Sequence, residues 1–199
     1  VTFIQDGVKY KREYFASYPD SIIVMRFSAD KPGKQNLTFS YATNPESKGA
    51  TESDSPTSIL YKGTLINNGM KFAIKVRAIT KGGYLKSERG LITTKDADEV
   101  IFILSADTDY KLNFNPDFKD NKAYVGVDPE ISTRTIMGET SKFSYKELLS
   151  HHMSDYKRLF ERVNISLNPN APMTLQYPAT TDLPTYERLE KYRKGYADY

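Results

Sequence analysis

Two histidines stand side by side in the segment SHHMSDY, and His151 and His152 are the only histidines in the chain. Asp155 follows His151 at the i,i+4 spacing that places two side chains on one helical face. Imidazole and carboxylate together could hold a metal or move a proton, and zinc ligands carried on one helix use this spacing. Adjacent positions point about 100° apart around a helix, so His151 and His152 do not readily share one ion. His152 falls instead among the apolar positions Leu148, Tyr156 and Leu159. Structural roles are therefore expected: a buried, hydrogen-bonded His152 and an exposed His151 near Asp155. No metal or cofactor is expected.

Carboxylates are the other candidates. Asp96, Asp98 and Glu99 fall between two strand-like runs, and Asp107 and Asp109 follow a third. A glycosidase needs two carboxyl groups facing each other across a sugar. Clustered Asp residues more often fold turns by bonding their own backbone, and that is the reading preferred here. The segment DTDYKLNFNPD is oxygen-rich like a calcium loop but lacks the glycine and terminal glutamate of an EF-hand. GGYLKSERG does not match a dinucleotide-binding glycine pattern.

Composition narrows the classes. The 199 residues include 28 Lys+Arg against 25 Asp+Glu, and no basic block marks a nucleic-acid surface. The absence of cysteine excludes disulfides, thiol nucleophiles and Cys-based zinc sites. The longest apolar run, Val100 to Leu104, is too short to span a bilayer. Fifteen tyrosines and ten phenylalanines suit a β-rich module.

The elements that must position these groups read as strands up to about residue 110. LTFSYAT sets Leu37, Phe39 and Tyr41 opposite Thr38 and Ser40. SIIVMRFSA sets Met25, Phe27 and Ala29 opposite Arg26 and Ser28. MKFAIKVRAIT sets Met70, Phe72, Ile74, Val76 and Ala78 opposite Lys71, Lys75 and Arg77. That period of two predicts half-buried strands. EVIFILSA is apolar on both faces, which predicts a central strand covered on both sides. Lys81 to Gly83 predicts a hairpin turn. The polar segments Asn44–Ser58 and Asn113–Lys122 are expected to be long loops.

Helical signals follow. Asp128 before Pro129 reads as an N-cap and first helical position, although the β-branched residues beyond them suit a helix poorly. Ser144 and Glu147 form a capping-box pattern ahead of an amphipathic run through Leu148, Leu149, His152, Met153, Tyr156, Leu159, Phe160 and Val163. VNISLNP returns to a strand pattern. LPTYERLEKYRKG predicts a last helix, with Glu187 and Lys191 paired and Gly195 as its stop. The expected architecture is mainly β with α: an antiparallel β-sandwich, supersandwich-like, over 1–127, a helical linker with a returning strand over 128–180, and a first segment of another domain over 181–199. Both ends read as cut from a longer protein.

Several of these stretches resemble one family. YKREYFASYPDSIIVMRFSADKPG, GMKFAIKVRAITKGG and DADEVIFILSADTDYK resemble the N-terminal β-domain of glycoside hydrolase family 95. SYKELLSHHMSDYKRLFERVNISL resembles its linker helix, and LPTYERLEKYRKG the segment leading into its barrel. The segment Asn113 to Ser141 departs from the family's usual Ala-rich helix.

The resemblance implies a secreted or periplasmic α-L-fucosidase or α-L-galactosidase with a β-supersandwich, a linker and an (α/α)6 catalytic barrel. Such enzymes invert the anomeric centre, with a Glu acid and an Asp and Asn residues at the attacking water, all in the barrel. No catalytic residue carries over to this chain, so the fragment is expected to be non-catalytic. His152, Asp155, Tyr156, Phe160 and Arg162 match the linker pattern and are expected to pack and hydrogen-bond between domains. The partners implied are the rest of the enzyme and, for the whole protein, a fucosylated glycan. The rival reading is a stand-alone carbohydrate-binding or interaction module.

Overall fold

The computed structural model describes residues 1–42, 45–116, 119–120, 122–163 and 184–195. Ten strands come first: β1 (Thr2–Gln5), β2 (Val8–Ser17), β3 (Ile22–Ala29), β4 (Gln35–Phe39), β5 (Ser47–Ser55), β6 (Ser58–Leu65), β7 (Lys71–Lys81), β8 (Tyr84–Glu88), β9 (Leu91–Ala97) and β10 (Glu99–Thr108). Among the described residues three helices follow: α1 (Pro129–Thr140), α2 (Tyr145–Phe160) and α3 (Thr185–Arg193). A seven-stranded sheet runs β1-β2-β3-β10-β7-β6-β5, and a three-stranded sheet runs β4-β9-β8. Among the described residues every strand pairing is antiparallel.

The apolar alternation decides which face meets what. Val76, Ala78, Val100 and Phe102 of the large sheet bury against Ile92 and Ala97 of the small one. Met25, Phe27, Leu37 and Phe39 pack on the same core, as their spacing predicts. The other face of the large sheet carries Ile22, Val24, Ile101 and Ile103, which bury against Met137 of α1 and Leu148 of α2. The chain is therefore a sandwich with a helical third layer. β10 lies between β3 and β7 and is covered on both faces, as its unbroken apolar run predicts.

Two sequence expectations about the sheet change. Asn44–Ser58 is not a loop, because Ser47–Ser55 forms edge strand β5 against β6. Its side chains are too polar to show an apolar face, and the strand is held by its backbone ladder. Lys75, on the polar side of β7, is buried because α1 packs over that face.

The turn at Lys81–Gly83 forms as expected, with positive φ at Gly82 (67°) and Gly83 (66°). A Cβ on Gly83 would lie 2.3 Å from the Lys95 carbonyl oxygen, so this turn needs glycine for space as well as for backbone angle.

The helix starts follow their sequence signals. Asp128 accepts a hydrogen bond from the Glu130 N–H (2.9 Å), and Pro129 opens α1. The poor helix formers inside α1 are accommodated locally. The Thr133 hydroxyl donates to the Pro129 carbonyl (2.9 Å), which lets a β-branched polar residue be buried without an orphan group. At α2 the Ser144 N–H donates to Glu147 Oε2 (2.7 Å), and the Glu147 N–H donates weakly to Ser144 Oγ (3.4 Å).

The chain divides into two compact units, Val1–Tyr156 and Lys157–Tyr199. In the second, α3 is followed by Gly195 at φ 83°. The pair expected between Glu187 and Lys191 is replaced: Glu187 accepts from the Tyr186 hydroxyl (2.8 Å), and Arg193 pairs with Glu190 (2.9 Å). The strand expected in VNISLNP lies, from residue 164 on, outside the described residues. Among the described residues no helix is long and apolar enough to cross a membrane.

Candidate functional site

The paired histidines sit where α2 meets the large sheet. Nδ1 of His151 lies 2.9 Å from Oδ1 of Asp20, in the turn between β2 and β3. Asp20 is nearly buried and also accepts from the Ser17 hydroxyl (2.6 Å). The Phe143 ring meets His151 edge-on, with centroids 4.9 Å apart. His151 thus fastens α2 to a turn 131 residues earlier instead of pairing with Asp155.

His152 takes a different role from the expected one. Its ring stacks on Phe15 of β2, with centroids 5.1 Å apart, and tilts against Tyr156 at 5.9 Å. Among the described residues it meets aromatic faces where a hydrogen-bond partner was expected. It is half-buried because α2 lies over the β2–β3 side of the sheet, against Phe15. Asp155 is half-exposed, and Tyr156 and Phe160 are exposed. Arg162 turns back along its own segment and donates from Nε to the Arg158 carbonyl (3.1 Å).

Tyr145 begins the same helix and sits over the Arg26 guanidinium, 4.7 Å from ring centre to cation. Arg26 bridges two strands: Nη1 donates to Glu13 of β2 (2.8 Å), and Nε donates to Glu99 of β10 (2.8 Å). Burial pushes the Glu13 carboxyl up, but hydrogen bonds from Lys11 and Arg26 outweigh it and leave the group below its usual range. The sequence shows Arg26 only as a polar position on β3 and gives no sign of this arrangement.

A second polar cluster lies under α1. Asp54, beside the β5–β6 turn, is nearly buried and pairs with Lys75 of β7. It also accepts from the Ser58 hydroxyl (2.6 Å) and from Arg134 of α1 (2.9 Å). Burial alone would raise the Asp54 carboxyl, but Lys75, Ser58 and the Arg134 charge together hold it below its usual range. Glu130 of α1 continues the network to Lys62 of β6 (2.8 Å) and to Arg134 (2.9 Å), and those two hydrogen bonds depress its carboxyl. The cluster holds β5, β6, β7 and α1 together.

Of the remaining candidate carboxylates, Asp107 bonds neighbouring backbone as expected, while Asp98 and Asp109 tie together segments far apart in sequence. Asp98 accepts from the Gly33 N–H (2.8 Å), Asp109 from the Lys71 N–H (2.9 Å) and Asp107 from the Thr108 N–H (2.8 Å). Among the described residues no group of three or more His, Asp or Glu side chains could hold a metal ion.

What α2 leaves uncovered is chemically distinct. Leu148 is its one buried side chain. Further along the same apolar spacing, exposure rises from Met153 at 38% to Leu159 at 50% and Val163 at 71%. Within the first unit the amphipathic face read from the sequence is buried at Leu148 and exposed at Met153.

A sandwich with this strand pattern, followed by helices, matches a known family model over residues 1–113, described as "Glycosyl hydrolase family 65, N-terminal domain". The chain belongs to that family. It is similar to "Alpha-L-fucosidase 2" of Arabidopsis thaliana, 26% identical over 219 aligned residues that cover 97% of the chain and 25% of that protein. It is similar also to "Probable alpha-fucosidase A" of Aspergillus niger, 28% identical over 193 residues that cover 92% of the chain and 22% of that protein. The chain thus spans about a quarter of the length of these relatives. A solved structure described as "Putative kojibiose phosphorylase from human microbiome" shares the fold, with a TM-score of 0.50 over 80% of this chain and 23% of that one, at 12% identity. The resemblance to the N-terminal β-domain of α-L-fucosidases, drawn from the sequence, agrees with these relatives.

Proposed function

We propose that this chain is the N-terminal scaffold of a longer glycoside hydrolase, secreted or periplasmic, that removes terminal α-L-fucosyl or α-L-galactosyl residues from glycans with inversion, and that the chain itself performs no bond cleavage. The observation that carries the reading is the similarity to two fucosidases along almost the whole chain, while the chain spans only a quarter of each. The side chains support the non-catalytic part. An inverting glycosidase needs a protonated acid and a water-activating carboxylate about 6.5–9.5 Å apart, with room for sugar and water between them. Here Asp54, Glu13, Glu99 and Glu130 are held in ion pairs, and Asp98, Asp107 and Asp109 cap backbone N–H groups.

The exposed end of the α2 face fits a connector. His152 and Tyr156, with Asp155, Phe160 and Arg162 beyond, follow the foot of the helix that His151 and Tyr145 fasten to the sheet. In this reading they meet the rest of the enzyme. The test compares fucose release from 2′-fucosyl glycans by this chain and by the uninterrupted product of its gene. The chain is expected to release none and the whole protein to release fucose with inversion. Turnover by the purified chain would overturn the non-catalytic reading, and a whole protein inert on every fucosyl and galactosyl glycan would overturn the substrate class.

A further inference from the structure

The two sheets of the sandwich differ in width, seven strands against three. Phe39 of β4 and Phe27 of β3 both pack on the buried Phe102 of β10, with ring centres 5.2 and 5.9 Å away. Beyond β4 the small sheet has no further strand among the described residues, while the large sheet runs on past β3 through β2 and β1.

The apolar face does not stop where β4 does. Tyr14 of β2 meets Phe27 edge-on at 5.8 Å and carries the row of rings outward, yet it is 52% exposed. Ile23 lies two residues before Met25, on the same face of β3, and is 43% exposed. Directly paired residues share a face, and the register sets Tyr14 against Met25 and the exposed Ala16 against Ile23. This face is continuous with the buried core between the sheets and has no layer over it.

The strand edges differ in the same sense. Edges that face water commonly carry charge or proline, which discourage further pairing. On one side of the sandwich they do: β5 contains Lys48 and Glu52, and β8 contains Lys86 and Glu88. On the other side β1 (TFIQ) and β4 (QNLTF), which line a common groove, contain neither. The register of β4 shifts at its start, but Leu37 to Phe39 pair regularly with β9 and leave a regular outer edge.

We infer that the small sheet is completed by a further β-strand of the longer protein, which pairs with the outer edge of β4 and lays apolar side chains on Tyr14 and Ile23. The inference rests on the reading above only in that a longer protein exists. The chemistry of the added strand follows from the place it fills. Its residues alternate apolar and polar, because one face meets the large sheet and the other does not. The stretch that pairs with β4 contains no proline, which would remove a ladder donor.

Hydrogen exchange of the backbone amides, measured on this chain and on the uninterrupted product of its gene, tests the inference. In the short chain the amides of Asn36 to Phe39 that do not bond to β9 are expected to exchange freely. In the whole protein they are expected to slow by about tenfold or more relative to the amides of β5 and β8. Ile23→Lys puts an ammonium beneath the added strand and is expected to return those amides to within about threefold of their short-chain rate. Tyr14→Lys takes its place if Ile23→Lys fails to fold. Slowing below tenfold in the whole protein would overturn the inference, as would a folded variant that keeps the slowing. Protection in the short chain that grows with its concentration would give the edge to a second copy and overturn it too. Fucose release is scored on the same whole protein. Slow β4 amides in a protein inert on fucosyl glycans would leave this inference standing and sink the substrate class, and fast β4 amides in an active enzyme would do the reverse.

Discussion

Nδ1 of His151 and Oδ1 of Asp20 lie 2.9 Å apart and join the first turns of α2 to the β2–β3 turn. The bond links segments far apart in sequence, and the Asp20 end is nearly buried while the His151 end is partly exposed. Exposed and half-exposed pairs of this kind contribute roughly 0.2–1 kcal/mol in double-mutant cycles. The expected coupling between Asp20→Ala and His151→Ala is therefore about 0.5–1 kcal/mol. Urea unfolding of the two single variants and the double variant measures it. Additive effects would show that the contact does not fasten the helix.

His152 is predicted to act through its ring. His152→Phe preserves the stack on Phe15 and is expected to keep stability within about 0.5 kcal/mol, while His152→Ala is expected to lose about 1 kcal/mol, the size of an aromatic pair beyond its burial. Thermal unfolding of the two variants separates the readings. Equal losses in both would point to a hydrogen bond through the ring nitrogens.

The Asp54–Lys75 pair makes a larger prediction. Both side chains are nearly buried, and Asp54→Ala would leave the Lys75 ammonium under α1 without a counter-charge. Breaking a buried pair from one side typically costs about 3–5 kcal/mol. Replacing both partners with apolar residues, Asp54→Leu with Lys75→Met, is expected to recover most of that loss. The pH dependence has a definite sign. Asp54 is held below its usual range in the folded chain, so the unfolded chain takes up the proton first as pH falls. Its stabilisation is full above the unfolded value of about 3.9 and is lost as pH falls through the lower folded value. Glu13 and Glu130, also depressed, act in the same direction. Urea midpoints are expected to be flat from neutral pH to about 5 and to drop below about 4. Asp54→Asn should make that drop shallower.

How far the sequence went depended on whether a signal was local. β10, the Ser144–Glu147 capping box and the glycines after Lys81 are written in consecutive residues, and each forms as read. β5 was hidden because an edge strand held by its backbone needs no apolar alternation. Lys75 read as a polar face, and only the packing of α1 turns it into a buried charge. Helical spacing offers His151 the carboxylate of Asp155, while its partner lies on a distant turn that no such spacing can reveal.

Gly83 tests the turn. Its φ of 66° disfavours any side chain, and a Cβ would strike the Lys95 carbonyl oxygen at 2.3 Å and the Ala97 nitrogen at 2.5 Å. At Gly82 a Cβ would meet only the Asp98 side chain, at 3.2 Å or more. Gly82→Ala is expected to cost about 1 kcal/mol, as left-handed backbone alone does, and Gly83→Ala clearly more, about 3 kcal/mol or above. Equal losses in urea unfolding would contradict the crowding at Gly83.

The last prediction concerns the uncovered end of α2. Met153 and Leu159 are exposed large apolar side chains on a helix whose buried contact is Leu148. If that face meets the rest of a longer enzyme, it contributes nothing to the stability of this chain and makes its surface adhesive. Met153→Glu with Leu159→Glu is therefore expected to leave the unfolding midpoint nearly unchanged, within about 0.5 kcal/mol, as surface changes generally do. The same pair should lower the binding of an apolar dye and reduce self-association seen by light scattering. Placed in the whole protein, it should instead lower thermal stability, because two carboxylates would then be buried without partners. A loss of stability in the short chain, or none in the whole protein, would show that this face does not serve as the joint.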